Sequence, residues 1–232
     1  MSNLRRHNPA LQERLGSYLA TADSDGLLAC LDGLNATDRR TAGYLLGEVL
    51  LPTLDATTYW DVFAVVVPHD PKAYLGTFLK AGCRLYEAGR LDFSHSGFRR
   101  FATTDATVVD RRKTIEAFLP LLRTPEEANS LLDVFGVEPA TRVPYLFRAD
   151  SRPCCFLLFR QLKALDDVLL TRKYCLLLMQ RGGRLSFNLA SLLKYYFALE
   201  NIPGTFSLRL EPYEQGRLDT SYEAFDKVLT SI

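Results

Sequence analysis

The sequence of 232 residues lacks any long apolar segment. Its apolar runs, such as those within residues 153–159 and 168–179, are short or interrupted by Arg and Lys. A membrane-spanning helix needs roughly 20 consecutive apolar residues. The first 15 residues carry charges but no apolar core region behind them, which is not typical of a secretory signal. We therefore expect a cytoplasmic protein without a membrane-spanning helix.

The sequence also lacks a cysteine pattern typical of disulfides or of metal binding. Its five cysteines are an odd number and show no C-x-x-C spacing. Cys154 and Cys155 are adjacent and lie among Phe and Leu. This pattern indicates reduced thiols that serve as small buried hydrophobic groups. A chain of this length can bury a core large enough to fold without disulfides.

Sequence motifs of catalysis and cofactor binding are missing as well. No G-x-G-x-x-G, G-x-x-x-x-G-K, G-x-S-x-G or H-E-x-x-H pattern occurs. His7, His69 and His95 are too scattered for their spacing to indicate a metal site. Ser191 and Lys194 fit S-x-x-K, but the companion S-D-N and K-T-G elements are absent, which favours a solvated lysine. We predict no catalytic residue, no metal and no cofactor, with an all-α enzyme of unrecognised type as an alternative.

Helical periodicity dominates what is present. Leu11, Leu15 and Leu19 are spaced four apart, as on one face of a helix, and similar stripes recur along the chain. Residues suited to N-capping precede five such runs, namely Asp23, Asn35, Asp55, Thr124 and Ser186. Strand candidates are few, the best being residues 205–211 and residues 173–180, and we predict a short extended segment near residues 205–210. The sequence predicts a single all-α domain over residues 1–232, with a soft junction at residues 139–153.

One peptide occurs twice. Residues 86–98, YEAGRLDFSHSGF, and residues 213–225, YEQGRLDTSYEAF, are identical at eight of thirteen positions. In the first copy Gly89 follows a helical run, Asp92 or Ser94 can cap a new helix, and Leu91 and Phe98 can pack back on the first helix. Each copy therefore indicates the corner of a helical hairpin.

These corners lie in segments that resemble the tetratricopeptide repeat, whose pattern is W-x2-L-G-x2-Y, a turn glycine and A-x3-F at a period of about 34 residues. The resemblance covers residues 78–106 and, as a half-unit, residues 213–229. The positions that match the pattern are Phe78, Ala81, Gly82, Leu85, Gly89, Ser94 and Phe98, then Gly216, Ser221 and Phe225. The resemblance implies stacked antiparallel helical hairpins with a surface that binds a protein segment. An irregular helical bundle is the alternative.

Charge is nearly balanced overall, at +1, but unevenly distributed. Residues 139–209 carry 11 basic and 4 acidic groups, against 15 and 18 in residues 1–138 and 2 and 5 in residues 210–232. We call residues 142–194 the basic block. Such a local excess of positive charge favours association with acidic partners.

The basic block interleaves cations with rings such as Tyr145, Phe147 and Tyr174, a combination that suits single-stranded nucleic acid or an acidic peptide. The pI near 7.6 favours the acidic peptide, because dedicated nucleic-acid-binding domains are more basic. We predict a non-catalytic protein–protein interaction or adaptor protein that binds a peptide or protein segment. Nucleic-acid binding through the basic block is one alternative, and a solvated helix face whose aromatic rings belong to the core is another. The predicted partner-binding residues are Arg172, Lys173, Arg181 and Arg184.

Overall fold

A computed structural model of the chain describes residues 8–205, 208, 210, 215–218 and 220–232. Within this part of the chain the regular structure is helical and contains no strand, which confirms the all-α prediction. Residues 206, 207 and 209 of the predicted extended segment at residues 205–210 lie outside the described residues. The regular hairpin stack implied by the tetratricopeptide resemblance stays a prediction.

The chain divides into two compact units, Met1–Leu121 and Leu122–Ile232, which we call unit 1 and unit 2. The division falls before the predicted junction at residues 139–153. That segment contains a 3₁₀ turn, Pro139–Thr141, and the helix Val143–Arg148. The prediction that residues 1–232 form one domain stays a prediction.

Unit 1 consists of short helices packed around α4 and α5. Its α-helices are α1 (Pro9–Ala20), α2 (Ser24–Asp32), α3 (Ala36–Tyr44), α4 (Ala56–His69), α5 (Pro71–Glu87), α6 (Ser96–Arg100) and α7 (Val108–Phe118). Helix α4 packs against α5 and α6, and α5 packs against α7. Two π-helical segments, Leu45–Leu50 and Phe101–Asp105, continue α3 and α6. The 3₁₀ turns Leu51–Thr53 and Leu119–Leu121 complete the unit.

Unit 2 is built around α10. Its described α-helices are α8 (Pro125–Val134), α9 (Val143–Arg148), α10 (Arg152–Leu165), α11 (Val168–Arg181), α12 (Arg184–Tyr196) and α13 (Tyr222–Ser231). Helix α10 packs against α8, α9 and α13. Helices α11 and α12 fold back on one another through Gly182 and Gly183, whose φ angles of +74° and +82° suit glycine.

Capping residues begin the helices largely where the sequence predicts. The side chains of Asp23, Asn35, Asp55 and Thr124 accept hydrogen bonds from backbone N–H groups in the first turns of α2, α3, α4 and α8. The prediction for Ser186 is wrong, because α12 begins two residues earlier, at Arg184. Ser186 is buried instead, and its Oγ lies 3.4 Å from Asp150 Oδ1.

Aromatic rings fill the core of unit 1. The rings of Trp60 and Phe98 pack with centroids 4.6 Å apart, and Phe63 lies edge-on to Trp60 at 5.2 Å. The polar atoms of this core are satisfied by backbone carbonyls, since Trp60 Nε1 donates to Asp92 O and Tyr59 Oη donates to Phe78 O, each at 2.7 Å. The aromatic core therefore also fixes the backbone within α5, at Phe78, and in the connection after it, at Asp92.

The first predicted corner is present, with a different cap. Gly89 follows α5 with φ of +70°, and Leu91 and Phe98 are buried. The prediction that Asp92 or Ser94 caps the next helix is wrong, because an Asp92 carboxylate oxygen accepts a hydrogen bond from Ser94 N at 2.9 Å within the connection. His95 caps α6 instead, its Nδ1 accepting from Gly97 N at 3.0 Å.

Arg90 ties this corner to the connection between α3 and α4. Its guanidinium donates to the backbone carbonyl oxygens of Pro52, Thr53 and Leu54 at 2.9, 3.0 and 2.9 Å. These carbonyls lie in and just after a 3₁₀ turn, and the last carbonyl groups of a helical turn have no backbone donor within it. Arg90 therefore stabilises the corner through hydrogen bonds that the hydrophobic periodicity of the sequence does not predict.

The second copy of the peptide shares the buried positions of the first, as far as it is described. Leu218 and Phe225 are buried, like Leu91 and Phe98 in unit 1. Ser221 caps α13 by accepting from Ala224 N at 3.3 Å. Residues 213, 214 and 219 lie outside the described part of the chain. The repeated peptide therefore supplies the same pair of apolar anchors to both units.

Gly82 allows α5 to approach the aromatic core closely. A Cβ at this position would clash with Tyr59 Oη and would lie 2.9 Å from Phe118 Cζ. We expect Gly82→Ala to lower the free energy of unfolding by about 1–3 kcal/mol through overpacking. Urea denaturation measures this change.

Gly76→Ala in the same helix is the matched control. Its Cβ would meet no atom of the described residues within 4 Å. Alanine there should raise the free energy of unfolding by about 0.5–1 kcal/mol, because glycine is entropically costly inside a helix. Equal effects of the two substitutions would contradict the packing argument.

Candidate functional site

The four basic residues predicted to bind a partner lie on α11 and α12. Arg172 and Lys173 are in the second turn of α11, Arg181 is its last residue, and Arg184 begins α12. Arg172 and Arg181 are nine positions apart, about 2.5 helical turns, so they point to opposite sides of α11. The four side chains therefore do not form one continuous face.

Arg181 is engaged within unit 2. Its guanidinium carbon lies 4.3 Å from the centroid of the Phe147 ring, and Nη1 donates to the Phe147 carbonyl oxygen. Asp150 Oδ1 lies 3.9 Å from the same Nη1. The cation thus joins the end of α11 to α9 through a stacked ring and a hydrogen bond.

Arg184 is exposed beside a shallow depression of about 500 Å³. Gly183, Phe187, Asn188 and Ile232 line the same depression. The Asn188 amide is committed to the fold, since Nδ2 donates to Leu229 O at 2.8 Å. Among the described side chains that line this depression, Arg184 is therefore the charged one.

Arg172 and Lys173 lie beside an exposed aliphatic pair that the sequence analysis did not single out. Val168 and Leu169, in the first turn of α11, are 55% and 79% exposed. Arg172 has no hydrogen bond or ion pair with the residues that the structure describes, and Lys173 Nζ lies 5.8 Å from the Tyr174 ring centroid. We call these four residues the α11 surface. It combines apolar area with positive charge.

Unit 1 has the same arrangement at the start of α7. Val108 and Val109 are 82% and 58% exposed, and Arg112 and Lys113 are exposed in the next turn. The six-residue segments VVDRRK and VLLTRK place these groups at identical spacing. Arg112 Nε donates to Glu116 Oε1 at 2.9 Å, so part of its charge is balanced. We call these four residues the α7 surface.

Much of the rest of the basic block serves packing. Arg142 donates to Val137 O at 3.0 Å and also bonds Asn129 and Asp133. Of the rings in the basic block, Phe147 and Tyr174 pack against one another, with an edge contact at 5.2 Å between their centroids. These cations and rings are therefore less available to a nucleic acid than their sequence pattern indicates.

The two polar side chains of the S-x-x-K pattern bond to different backbone carbonyls. Ser191 Oγ donates to Phe187 O at 3.0 Å, while Lys194 Nζ donates to Ile202 O at 3.3 Å. A lysine ammonium that donates to a backbone carbonyl is not placed to activate a serine hydroxyl that donates to a different carbonyl. Both groups hold local backbone geometry.

A metal site is not formed by the described residues, since they contain no cluster of three or more His, Cys, Asp or Glu side chains that could bind an ion. Among the described helices, none is long and apolar enough to cross a membrane.

Comparison of the chain with protein-family models, curated proteins and solved structures finds no match. The functional assignment therefore depends on the surfaces of the molecule itself.

Loss of the Arg181 contacts should destabilise unit 2. Arg181→Gln removes the cation from the Phe147 ring and weakens the bond to the Phe147 carbonyl, and we expect a loss of about 1–3 kcal/mol in the free energy of unfolding. Arg184→Gln, at an exposed position, should change it by less than about 0.5 kcal/mol. Chemical denaturation of both variants compares them, and equal stabilities would show that Arg181 has no structural role.

The buried thiols should react slowly in the folded protein. Burial raises the pKa of Cys154 and of Cys175 from 9.0 to about 11. Their thiolate fraction at pH 8 is therefore about 100-fold lower than in the unfolded chain, and reaction with a disulfide reagent should slow by at least that factor. Because the folded pKa values are raised, these thiols stabilise the fold fully below about pH 9, and this stabilisation is lost as pH rises towards 11. If Cys154 and Cys175 react with the disulfide reagent as fast in the folded protein as in the denatured chain, the predicted protection by burial is wrong.

Proposed function

We propose that this chain is a non-catalytic protein–protein interaction protein, an adaptor that binds an acidic, partly apolar segment of a partner at the α11 surface. One observation carries the proposal: Val168 and Leu169 are exposed one turn before Arg172 and Lys173. Adjacent exposed aliphatic side chains form an apolar patch that another protein can cover, and arginine is enriched in such interfaces.

The energetics of the α11 surface fit this role. Burial of an exposed Leu169 side chain against a partner would contribute about 1.5–3 kcal/mol. The cations add specificity and a faster association rate more than affinity. Asp167 accepts a hydrogen bond from Leu170 N at 2.9 Å and caps the helix. Asp167 is negatively charged and would repel a carboxylate, whereas Arg172 and Lys173, one turn later, would attract one. A bound segment should therefore place its carboxylates near Arg172 and Lys173.

The α7 surface supports the proposal, because the same order of groups recurs in unit 1. Neither exposed pair is required to complete the core of its unit, since both first turns point these side chains to solvent. We propose that Arg184 adds a contact at the edge of a longer partner segment. Arg181, engaged with Phe147, acts by holding α11 in place.

Leu169→Asp tests the proposal without threatening the helix, because an acidic residue in the first turn is favoured by the helix dipole. We expect this variant, and Arg172→Glu with Lys173→Glu, to lower partner retention by about tenfold or more. The measurement is quantitative affinity capture from cell lysate at 50 and 150 mM salt, with protein and nucleic acid both identified in the eluate.

Arg14→Glu with Arg99→Glu is a control of equal net charge at exposed positions on α1 and α6. It should retain the partner as the unmodified chain does. Recovery of salt-labile nucleic acid alone, or equal retention by all variants, would rule out the α11 surface as the binding site.

A further inference from the structure

An open groove of about 580 Å³ runs between α3 and α5 in unit 1. Its α3 side extends from Ala36 into the π-helical segment as far as Glu48, and its α5 side extends from Ala73 to Lys80. At 1.5 Å per residue these sides are about 18 and 10 Å long. The size is typical of a ligand site, and the length suits three to five residues of extended chain at about 3.3 Å each.

Glycines keep the groove wide. A Cβ at Gly76 would meet no described atom within 4 Å, and one at Gly43 would meet only Thr77 Oγ1, at 3.9 Å. Both glycines lie within helices, where alanine is the more stable choice unless packing forbids it. Packing does require Gly47, whose Cβ would lie 2.7 Å from Thr77 Cγ2. Gly43 and Gly76 therefore lower the stability of their helices, although packing within the described protein leaves room for alanine at both positions.

The charge of the groove is positive. Arg39 and Arg40 line it, are exposed, and have no ion pair with any residue in the described part of the chain. Glu48, the carboxylate that lines the groove, is already shared by Lys80 and Arg84. Hydrogen bonds from Lys80 and Arg84 lower the pKa of Glu48, which keeps this carboxylate ionised and engaged. Two arginines thus remain for an anionic ligand.

We infer that this groove binds an extended acidic segment of a partner protein, with Arg39 and Arg40 bound to carboxylates and Gly43 and Gly76 beneath the peptide backbone. Arg binds carboxylates in a bidentate geometry. The absence of a Cβ at Gly43 and Gly76 lets a second backbone approach closely. The π-helical segment that contributes to the groove is of a kind often found at functional sites. This site belongs to unit 1 and does not depend on the α11 surface.

The direct test uses the whole chain and an acetylated hexapeptide of alternating Glu and Ala. We expect amide chemical-shift changes centred on Gly43, Gly76 and Thr77, and at least tenfold weaker binding of the matching Gln–Ala hexapeptide. Equal binding of the two peptides, or shifts centred elsewhere, would overturn the inference. Tighter binding of a hexathymidylate at the same amides would overturn it in favour of nucleic acid.

Variants separate binding from stability. Gly76→Ala should raise the melting temperature yet lower the affinity for the Glu–Ala hexapeptide several-fold, because the added methyl group occupies the floor of the groove. Arg39→Glu with Arg40→Glu should reduce the affinity at least tenfold while circular dichroism stays unchanged. Unchanged affinity in either variant would contradict the inference.

Gly16→Ala is the matched control, because Gly16 lies inside α1, outside the groove, with its nearest Cβ neighbour, Leu50 Cδ2, at 3.8 Å. It should raise the melting temperature and leave the affinity unchanged. Loss of affinity in this control would mean that helix rigidity, and not the space above Gly76, governs binding. Leu169→Asp should leave hexapeptide binding intact, so failure of the groove and failure of the α11 surface are distinguishable.

Discussion

Burial of aromatic rings between short helices is the constraint on which both units depend. Helices α2 and α3 have nine residues each, and isolated helices shorter than about 12–15 residues are marginal in water. Trp60 supplies the common contact in unit 1, and Phe159, packed against Phe225 at 5.4 Å, does so in unit 2. The indole N–H of Trp60 also holds the Asp92 carbonyl, so apolar packing and backbone geometry are set by one side chain. The surfaces described here are positioned by these cores.

Local sequence predicts most of the helices because capping and periodicity are local effects. Asp55 and Thr124 act through N–H groups three residues away, and their role is visible in the sequence. Tertiary contacts decide the rest. Arg90 reaches carbonyls 36 to 38 residues earlier in the chain, and Ser186 is drawn towards Asp150, 36 residues away. The π-helical segment Leu45–Leu50 departs from regular periodicity where it meets α5, which sequence spacing does not reveal.

The candidate site was only partly predictable, for a related reason. Composition locates the basic block but does not show which of its cations bond within the protein. The sequence does not distinguish Arg181, which stacks on the Phe147 ring, from Arg172. An aliphatic pair at a helix start normally indicates core, so the exposure of Leu169 requires the structure. The groove between α3 and α5 is open because glycines, which have no side chain, line it on two helices that are distant in sequence. A single glycine in a helix does not predict a groove, because the groove forms only where two such helices pack together.

Under the proposed function, the recurrence of the aliphatic pair with Arg and Lys at α7 and α11 would have a kinetic consequence. A partner that carries two matching segments on a flexible linker would, after release from one surface, remain tethered by the other. The second event would then be intramolecular, at an effective concentration set by the length and stiffness of the linker. Two weak attachments would together give a long residence time, while each segment alone exchanges rapidly. Such a chain would discriminate partners by their number of segments more than by the sequence of any one.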